Sequence, residues 1–131
     1  TEDTELTNIA TETMGLYDLT YLREHAEGDS TFLIEMIGIF LTDTPQLLEE
    51  LKTDVNSNDY KKIKVTSHSM KGLFLTLGMN DAAARLKEIE TMADENSSME
   101  LIKSNFQKVE DAFKKCQKPL QEELKKIEAT L

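Results

Sequence analysis

Four long stretches of this sequence carry apolar residues at the three- and four-residue spacing of an amphipathic helix. They cover about residues 30–55, 60–77, 80–94 and 99–127, and short polar turns separate them. Five glycines, two prolines, no tryptophan and few alternating β-branched residues argue against strands. The sequence therefore predicts an all-α fold.

A shorter helix is predicted ahead of these stretches, over about residues 19–26. Residues 1–16 are polar and aperiodic, so we expect a flexible N-terminal arm followed by one helical bundle domain over residues 17–131. Short turns place consecutive helices side by side. This favours an antiparallel up-down-up-down four-helix bundle with a short extra N-terminal helix.

Polar turn residues and prolines predict where the helices begin and bend. Gly78 is expected to end the second long helix, which starts at Tyr60. Pro45 predicts a kink and Pro119 a kink or a break, because each removes a backbone donor inside a helical stretch. The residues predicted to cap helix N-termini are Asp18 or Thr20, the Gly28-Asp29-Ser30 turn, Asp59, Asn80 or Asp81, and the 94–98 turn.

The formal net charge of −10 limits the partners of this chain. It repels phosphate backbones and anionic headgroups, so we expect no nucleic-acid partner and no direct membrane contact. The single cysteine, Cys116, cannot form an internal disulfide, and we find neither a signal peptide nor an apolar run long enough to span a bilayer. We expect a monomer in a reducing, cytoplasmic setting.

His68 lies on the predicted solvent face of the helix that starts at Tyr60. At about 100° per residue, an apolar cluster falls on the opposite side of this helix. The cluster consists of Ile63, Thr66, Met70, Leu73, Phe74 and Leu77. Lys61, Lys64 and Lys71 share the histidine's face, and residues 59–77 hold four lysines against one acid, a formal charge of +3. The local charge is opposite in sign to that of the whole chain.

Three further residues on this face are unusual for a solvated helix. Gly72 is about 1 kcal/mol less favourable than alanine inside a helix, and core packing does not require it at an exposed position. We interpret it as clearance for the backbone of another molecule close to His68. Val65 and Leu75 are apolar where Lys or Glu is expected, so they predict a small docking patch.

These features together indicate a site that carries a phosphoryl group and presents it to a protein. A neutral imidazole ring offers an unprotonated nitrogen as nucleophile. Lys71, three residues after His68, offsets negative charge on the transferring phosphoryl oxygens, and Lys64 adds a weaker field. The competing interpretation is a plain solvated helix face with an inactive histidine.

The segment His68-Ser69-Met70-Lys71-Gly72, followed by Gly78, resembles the signature of histidine-containing phosphotransfer (HPt) domains. Further likenesses to recurrent family positions are Tyr17-Asp18-Leu19, Gly28-Asp29, Phe32, Phe40, Thr44-Pro45 and Ile89-Glu90. The resemblance implies a four-helix phosphorelay intermediate in which His68 takes a phosphoryl group from a receiver-domain aspartyl phosphate and passes it to another receiver. The implied partners are receiver domains of response regulators or of a hybrid sensor histidine kinase. No cofactor is implied in this chain, because the Mg²⁺ belongs to the receiver.

The sequence departs from the family pattern at several positions. Ser67 stands where the family usually has alanine, Leu73-Phe74 where it has small residues, and Met79 where it has alanine. We interpret them as local repacking of the bundle.

Other function classes fit less well. A di-metal carboxylate bundle needs Glu three residues before each histidine, but Val65 and Leu22 stand there. No Ser-His-Asp or Cys-His arrangement for hydrolysis is evident. We therefore expect a phosphocarrier without catalytic activity of its own, with a non-catalytic helical interaction module as the alternative.

Overall fold

The structure, a computed structural model, describes residues 16–131, and these form five α-helices. They are α1 (Thr20–Ala26), α2 (Ser30–Asn56), α3 (Tyr60–Thr76), α4 (Asn80–Asp94) and α5 (Met99–Ala129). Residues 16–131 contain no β-strand, which confirms the all-α prediction. Apart from Leu16, the predicted N-terminal arm lies outside the described residues.

Side-chain caps fix the starts of three helices where the sequence predicted them. The Asp29 carboxylate accepts from the backbone N–H groups of Thr31 and Phe32 and begins α2. Asp59 accepts from the Lys62 N–H and begins α3. Each such cap satisfies a backbone donor that the helix cannot and contributes about 1 kcal/mol. The Ser98 hydroxyl similarly accepts from the Leu101 N–H at the start of α5.

The start of α4 differs from the prediction that Asn80 or Asp81 caps it. The cap residue is Met79, which makes no side-chain cap hydrogen bond. The reason lies in the preceding turn, where the Met79 N–H donates to the Phe74 carbonyl and the Gly78 N–H donates to the Leu75 carbonyl. This pair of bonds is a Schellman turn that ends α3 and feeds directly into α4. The Met79 side chain is buried in the core.

The two prolines lie inside continuous helices. Residues 30–56 form one helix through Pro45, and residues 99–129 form one helix through Pro119. The predicted break at Pro119 is therefore wrong, and the kinks stay predictions. Cys116 and Leu120, on either side of Pro119, are fully buried. Burial of both side chains keeps the helix continuous at Pro119, where one backbone hydrogen bond is missing.

The four long helices pack around one core. Each packs on its neighbour along the chain, α5 closes the arrangement against α2, and α1 covers part of α2. At the centre, the Phe40 ring of α2 meets the edges of Phe74 in α3 and Phe113 in α5, with centroid distances of 5.2 and 5.5 Å. Each buried aromatic ring of this kind contributes about 2–3 kcal/mol. Through Phe40 the core thus ties α2 to both α3 and α5.

The N-terminal segment and Gly78 pack against each other at the C-terminal end of α3. Gly78 has a positive φ of 67°. A Cβ atom added there would approach the Asp18 Cβ to 2.6 Å and would also collide with the Asp18 backbone. The Asp18 N–H donates to the Leu77 carbonyl at 2.9 Å, and the Leu19 side chain is buried. This contact requires glycine at position 78.

One described helix, α2, is long and apolar enough to cross a membrane by length and composition. This corrects the expectation that no such run is present. A single helix of this kind is weak support for a membrane span, because the core helix of a soluble protein passes the same test. In α2 the apolar residues Leu33, Ile37 and Phe40 are buried within the bundle.

Candidate functional site

His68 projects from the middle of α3, and its imidazole side chain is 65% exposed. On the opposite side of the helix, Ile63, Met70 and Phe74 are completely buried. Ser67, next to the histidine, is also completely buried, and its hydroxyl donates to the Ile63 carbonyl at 2.7 Å. Because that hydrogen bond satisfies the hydroxyl, Ser67 is buried here without an unpaired polar atom.

The neighbour of the imidazole on the next helix is Glu90. His68 Nδ1 lies 2.9 Å from Glu90 Oε1. The other carboxylate oxygen, Oε2, lies 3.4 Å from Lys71 Nζ and 4.0 Å from Lys87 Nζ. The Glu90 side chain is only 13% exposed. A single carboxylate on α4 therefore joins the histidine and two lysines.

The protonation of Glu90 decides which imidazole nitrogen is free. Burial raises the pKa of Glu90, but hydrogen bonds from His68 and Lys71 and the charges of Lys71 and Lys87 outweigh burial and hold that pKa below its ordinary value. Glu90 is thus a carboxylate at neutral pH and can only accept a hydrogen bond. Nδ1 of the neutral ring carries the proton, and the lone pair is on Nε2.

Lys71 and Lys64 occupy different positions. The Lys71 side chain is 23% exposed and reaches Glu90, next to the histidine. Lys64 instead reaches α4, with Nζ 2.7 Å from Asp94 Oδ1. The hydrogen bond to Asp94, together with its charge, raises the pKa of Lys64. The structure therefore pairs Lys71 with Glu90, the partner of the histidine, and pairs Lys64 with Asp94.

The other predicted site residues form an open surface around the histidine. Val65 and Leu75 are 62% and 48% exposed, which is high for branched apolar residues. Gly72 is exposed, and a Cβ atom built there meets no atom within 4 Å. Nothing in the described chain thus requires glycine at this helical position. The docking role of all three residues stays a prediction.

Sequence reasoning missed the roles of Glu90 and Lys87. Glu90 was noted only as a family-like position in the pair Ile89-Glu90, and nothing in the sequence of α4 links it to a histidine 22 residues earlier. One available signal was the Lys87-Glu90 pair, because residues three apart share a helix face. The formal charge of +3 counted over residues 59–77 also overestimates the positive charge of the site. In the structure, Asp94 and Glu90 of α4 pair with Lys64 and Lys71 of α3.

The lone cysteine and metal chemistry do not compete for this site. Cys116 is fully buried, and burial raises the pKa of its thiol to about 12, so no thiolate is available at neutral pH. Within residues 16–131, no three His, Cys, Asp or Glu side chains cluster closely enough to hold a metal ion. His68, in contrast, is an exposed imidazole whose Nδ1 contacts a carboxylate.

Comparison with known proteins agrees with the geometry. Residues 35–130, about three quarters of the chain, match the family described as Hpt domain. Neither the curated proteins nor the solved structures gave a significant match. The matched range contains His68, Lys71, Gly72 and Glu90. The chain therefore belongs to the Hpt domain family, whose members serve phosphotransfer in two-component signalling and interact with receiver or kinase domains of those systems.

Proposed function

We propose that His68 is the phosphoryl acceptor of this Hpt domain and that it exchanges the group with receiver-domain aspartates. The observation that carries this proposal is the 2.9 Å contact between His68 Nδ1 and Glu90 Oε1. A carboxylate at Nδ1 fixes the ring orientation and leaves the Nε2 lone pair facing away from α4. The exposed side chain gives that lone pair access to a partner.

The transfer step involves one bond made and one bond broken. Nε2 attacks the phosphorus of the receiver's aspartyl phosphate, the N–P bond forms, and the acyl P–O bond breaks. The aspartate leaves as a carboxylate, and the Nδ1 proton stays hydrogen-bonded to Glu90. The reverse sequence returns the group to a second receiver. The chain acts as a phosphocarrier, without catalysis of its own, and Mg²⁺ belongs to the receiver.

Lys71 stabilises the phosphoryl group on the histidine. It is one helical turn from His68 on the same side of α3, and its Nζ already lies within 3.4 Å of the carboxylate that holds Nδ1. A cation in that position offsets charge that develops on the phosphoryl oxygens. Lys64 contributes a weaker, longer-range field, because Asp94 holds its Nζ at 2.7 Å.

Gly72, Val65 and Leu75 form the surface on which the receiver docks. The bare backbone at Gly72 lets the receiver's aspartate approach within in-line distance of Nε2. Val65 and Leu75 bury their exposed apolar area in the complex. We also propose that residues 17–131 form a monomeric, cytoplasmic domain in an up-down-up-down bundle. Ion pairs such as Lys64–Asp94, which join the start of α3 to the end of α4, support this arrangement.

The substitution His68→Gln tests the function directly. The variant and the parent are incubated with a receiver domain that has been phosphorylated with radiolabelled acetyl phosphate. We expect acid-labile, alkali-stable label on the parent and none on the variant, with equal helical content by circular dichroism. The matched control is His25→Gln, which removes the other histidine, an exposed residue of α1, and keeps the label. Equal labelling of His68→Gln and parent would sink the proposal, and an unlabelled parent would favour the interaction-module alternative.

A further inference from the structure

The charged side chains on the two sides of α3 beside His68 differ in whether they form ion pairs. On the side that faces α4, the cations are paired: Lys64 with Asp94 and Lys71 with Glu90. On the side that faces α2, an open surface groove of about 830 Å³ runs between the two packed helices. The lining residues are Glu49, Glu50, Thr53 and Asp54 from α2, and Lys61, Lys62, Val65 and Thr66 from α3.

The groove has walls of opposite charge. The wall on α2 is acidic, with Glu49 and Glu50 exposed, and the wall on α3 is basic, with Lys61 and Lys62 exposed. None of these four residues takes part in an ion pair within 4.0 Å in the described part of the chain. Their charges are therefore available to a molecule that enters the groove. Deeper in the groove, Thr66 donates to Asp54 at 3.1 Å, so these two groups satisfy each other.

The groove is continuous with the docking surface proposed above. Val65 belongs to both, and it lies one helical turn before His68 on α3. Its 62% exposed side chain gives the groove an apolar contact between the two charged walls. A groove between two packed helices fits the ridge of side chains on a third helix. A partner that covers both His68 and Val65 therefore borders the groove as well.

We propose that this groove determines which receiver the domain accepts, by seating one surface helix of the receiver. That helix carries an apolar residue for Val65, basic side chains toward Glu49 and Glu50, and acidic side chains toward Lys61 and Lys62. Charge complementarity of this kind governs association rate and partner choice more than it adds affinity, and a helix with the reverse polarity meets like charges on both walls. The inference rests on the proposed function, since it assumes that a receiver docks at His68.

Charge reversal of each wall tests the proposal. The variants are Glu49→Lys with Glu50→Lys, and Lys61→Glu with Lys62→Glu. The probes are phosphoramidate, which needs no docking, and a panel of receiver domains phosphorylated with acetyl phosphate, from which the fastest donor to the parent is used. We expect each wall variant to lower transfer from that receiver about tenfold at low salt and to flatten its salt dependence. Labelling by phosphoramidate should stay within about twofold of the parent, because Lys61 and Lys62 precede His68 by seven and six residues, almost two helical turns, and a small donor needs no contact with the walls.

Matched reversals outside the groove control for the change in net charge. Lys125→Glu with Lys126→Glu, and Glu122→Lys with Glu128→Lys, alter exposed residues of α5 by the same amounts. These controls should transfer at the parent's rate. Equal losses in wall and control variants, or parental receiver transfer in both wall variants, would overturn the proposal while His68 still takes phosphoramidate. If neither probe labels the parent at all, the proposed function itself is wrong, and the groove proposal with it.

Discussion

Helix α3 and the turn after it contain two glycines six residues apart, and they contrast sharply. Gly78 has a left-handed φ of 67°, and Asp18 occupies the space where a side chain would lie. Gly72 is helical and exposed, with no atom within 4 Å of where a Cβ atom would lie. The described fold therefore requires glycine at position 78 and does not require it at position 72. The described residues thus give no packing reason for Gly72, in keeping with the proposal that a partner approaches the helix there.

The two regions around these glycines also differ in how they are held. The end of α3 is fixed by the Asp18–Leu77 backbone bond and by the burial of Leu19. The middle of α3 is held on its inner side by the buried Met70 and Phe74 and toward α4 by contacts with Glu90, while Gly72 faces solvent without a contact of this kind. A substitution at the end should thus change stability, and one in the middle should change function. The predictions below are ordered from the largest expected effect to the smallest.

Gly78→Ala should destabilise the domain by about 2–4 kcal/mol, because alanine pays for the left-handed φ and also collides with Asp18. The measurement is the free energy of unfolding in urea. Gly28→Ala is the matched control, since Gly28 has a φ of 87° but open space around its Cβ position. The free energy of unfolding of this variant should fall only by the cost of placing alanine at a left-handed φ, about 1–2 kcal/mol. Equal losses in the two variants would show that the Asp18 contact carries no weight.

Gly72→Gln should leave the free energy of unfolding nearly unchanged and reduce transfer from a phosphorylated receiver about tenfold or more. The glutamine fits, because the position is open, but it obstructs the receiver's aspartate. Phosphoramidate labelling serves as the control, since a small donor needs no protein-sized clearance. Intact receiver transfer, or an unfolded variant, would contradict the interpretation of Gly72 as clearance.

Lys71→Ala should shorten the phosphohistidine lifetime several-fold, as lost stabilisation of about 1 kcal/mol would do. It should also raise the pKa of Glu90, because Lys71 is one of the groups that holds that pKa low. A carboxylate with a lowered pKa stabilises the fold at higher pH, and that stability is lost as the pH falls through the lowered pKa. In the variant this pH-dependent loss should be smaller and should be complete at a higher pH, because the folded-state pKa of Glu90 lies closer to its unfolded value.

Carbon-detected NMR titration of the Glu90 carboxyl measures the pKa change in Lys71→Ala, and the decay of labelled domain measures the lifetime. Lys62→Ala is the matched control, because Lys62 is an exposed lysine of α3 that makes no contact with Glu90. An unchanged Glu90 pKa would show that Lys71 does not influence that carboxyl. An unchanged lifetime would show that Lys71 does not stabilise the phosphoryl group.

Gly72→Ala gives the smallest effect, a gain in the free energy of unfolding of up to about 1 kcal/mol. Alanine fits the helical backbone at this position without contact to other atoms, and it restricts the unfolded chain. Urea denaturation of the variant beside the parent measures the gain. A clear loss of stability would mean that the middle of α3 depends on glycine structurally, which would weaken the contrast with Gly78.

Local sequence patterns determined much of this molecule. The helical spacing of apolar residues predicted the long helices, and Asp29, Asp59 and Gly78 marked boundaries that the structure has. The same spacing put His68 on the exposed face of α3 and Met70 and Phe74 in the core. These features follow from 3.6-residue periodicity and from capping hydrogen bonds, both of which act within a few residues.

Contacts between helices were decided only by the tertiary structure. Glu90 contacts His68, and Asp94 pairs with Lys64, because α4 packs on α3 in one particular register and rotation. The continuity of α5 through Pro119 likewise depends on burial in the core rather than on the local sequence. Register and rotation arise from the packing of whole helix faces, which periodicity along a single helix does not encode. Periodicity therefore located the histidine, and packing supplied the carboxylate that orients it.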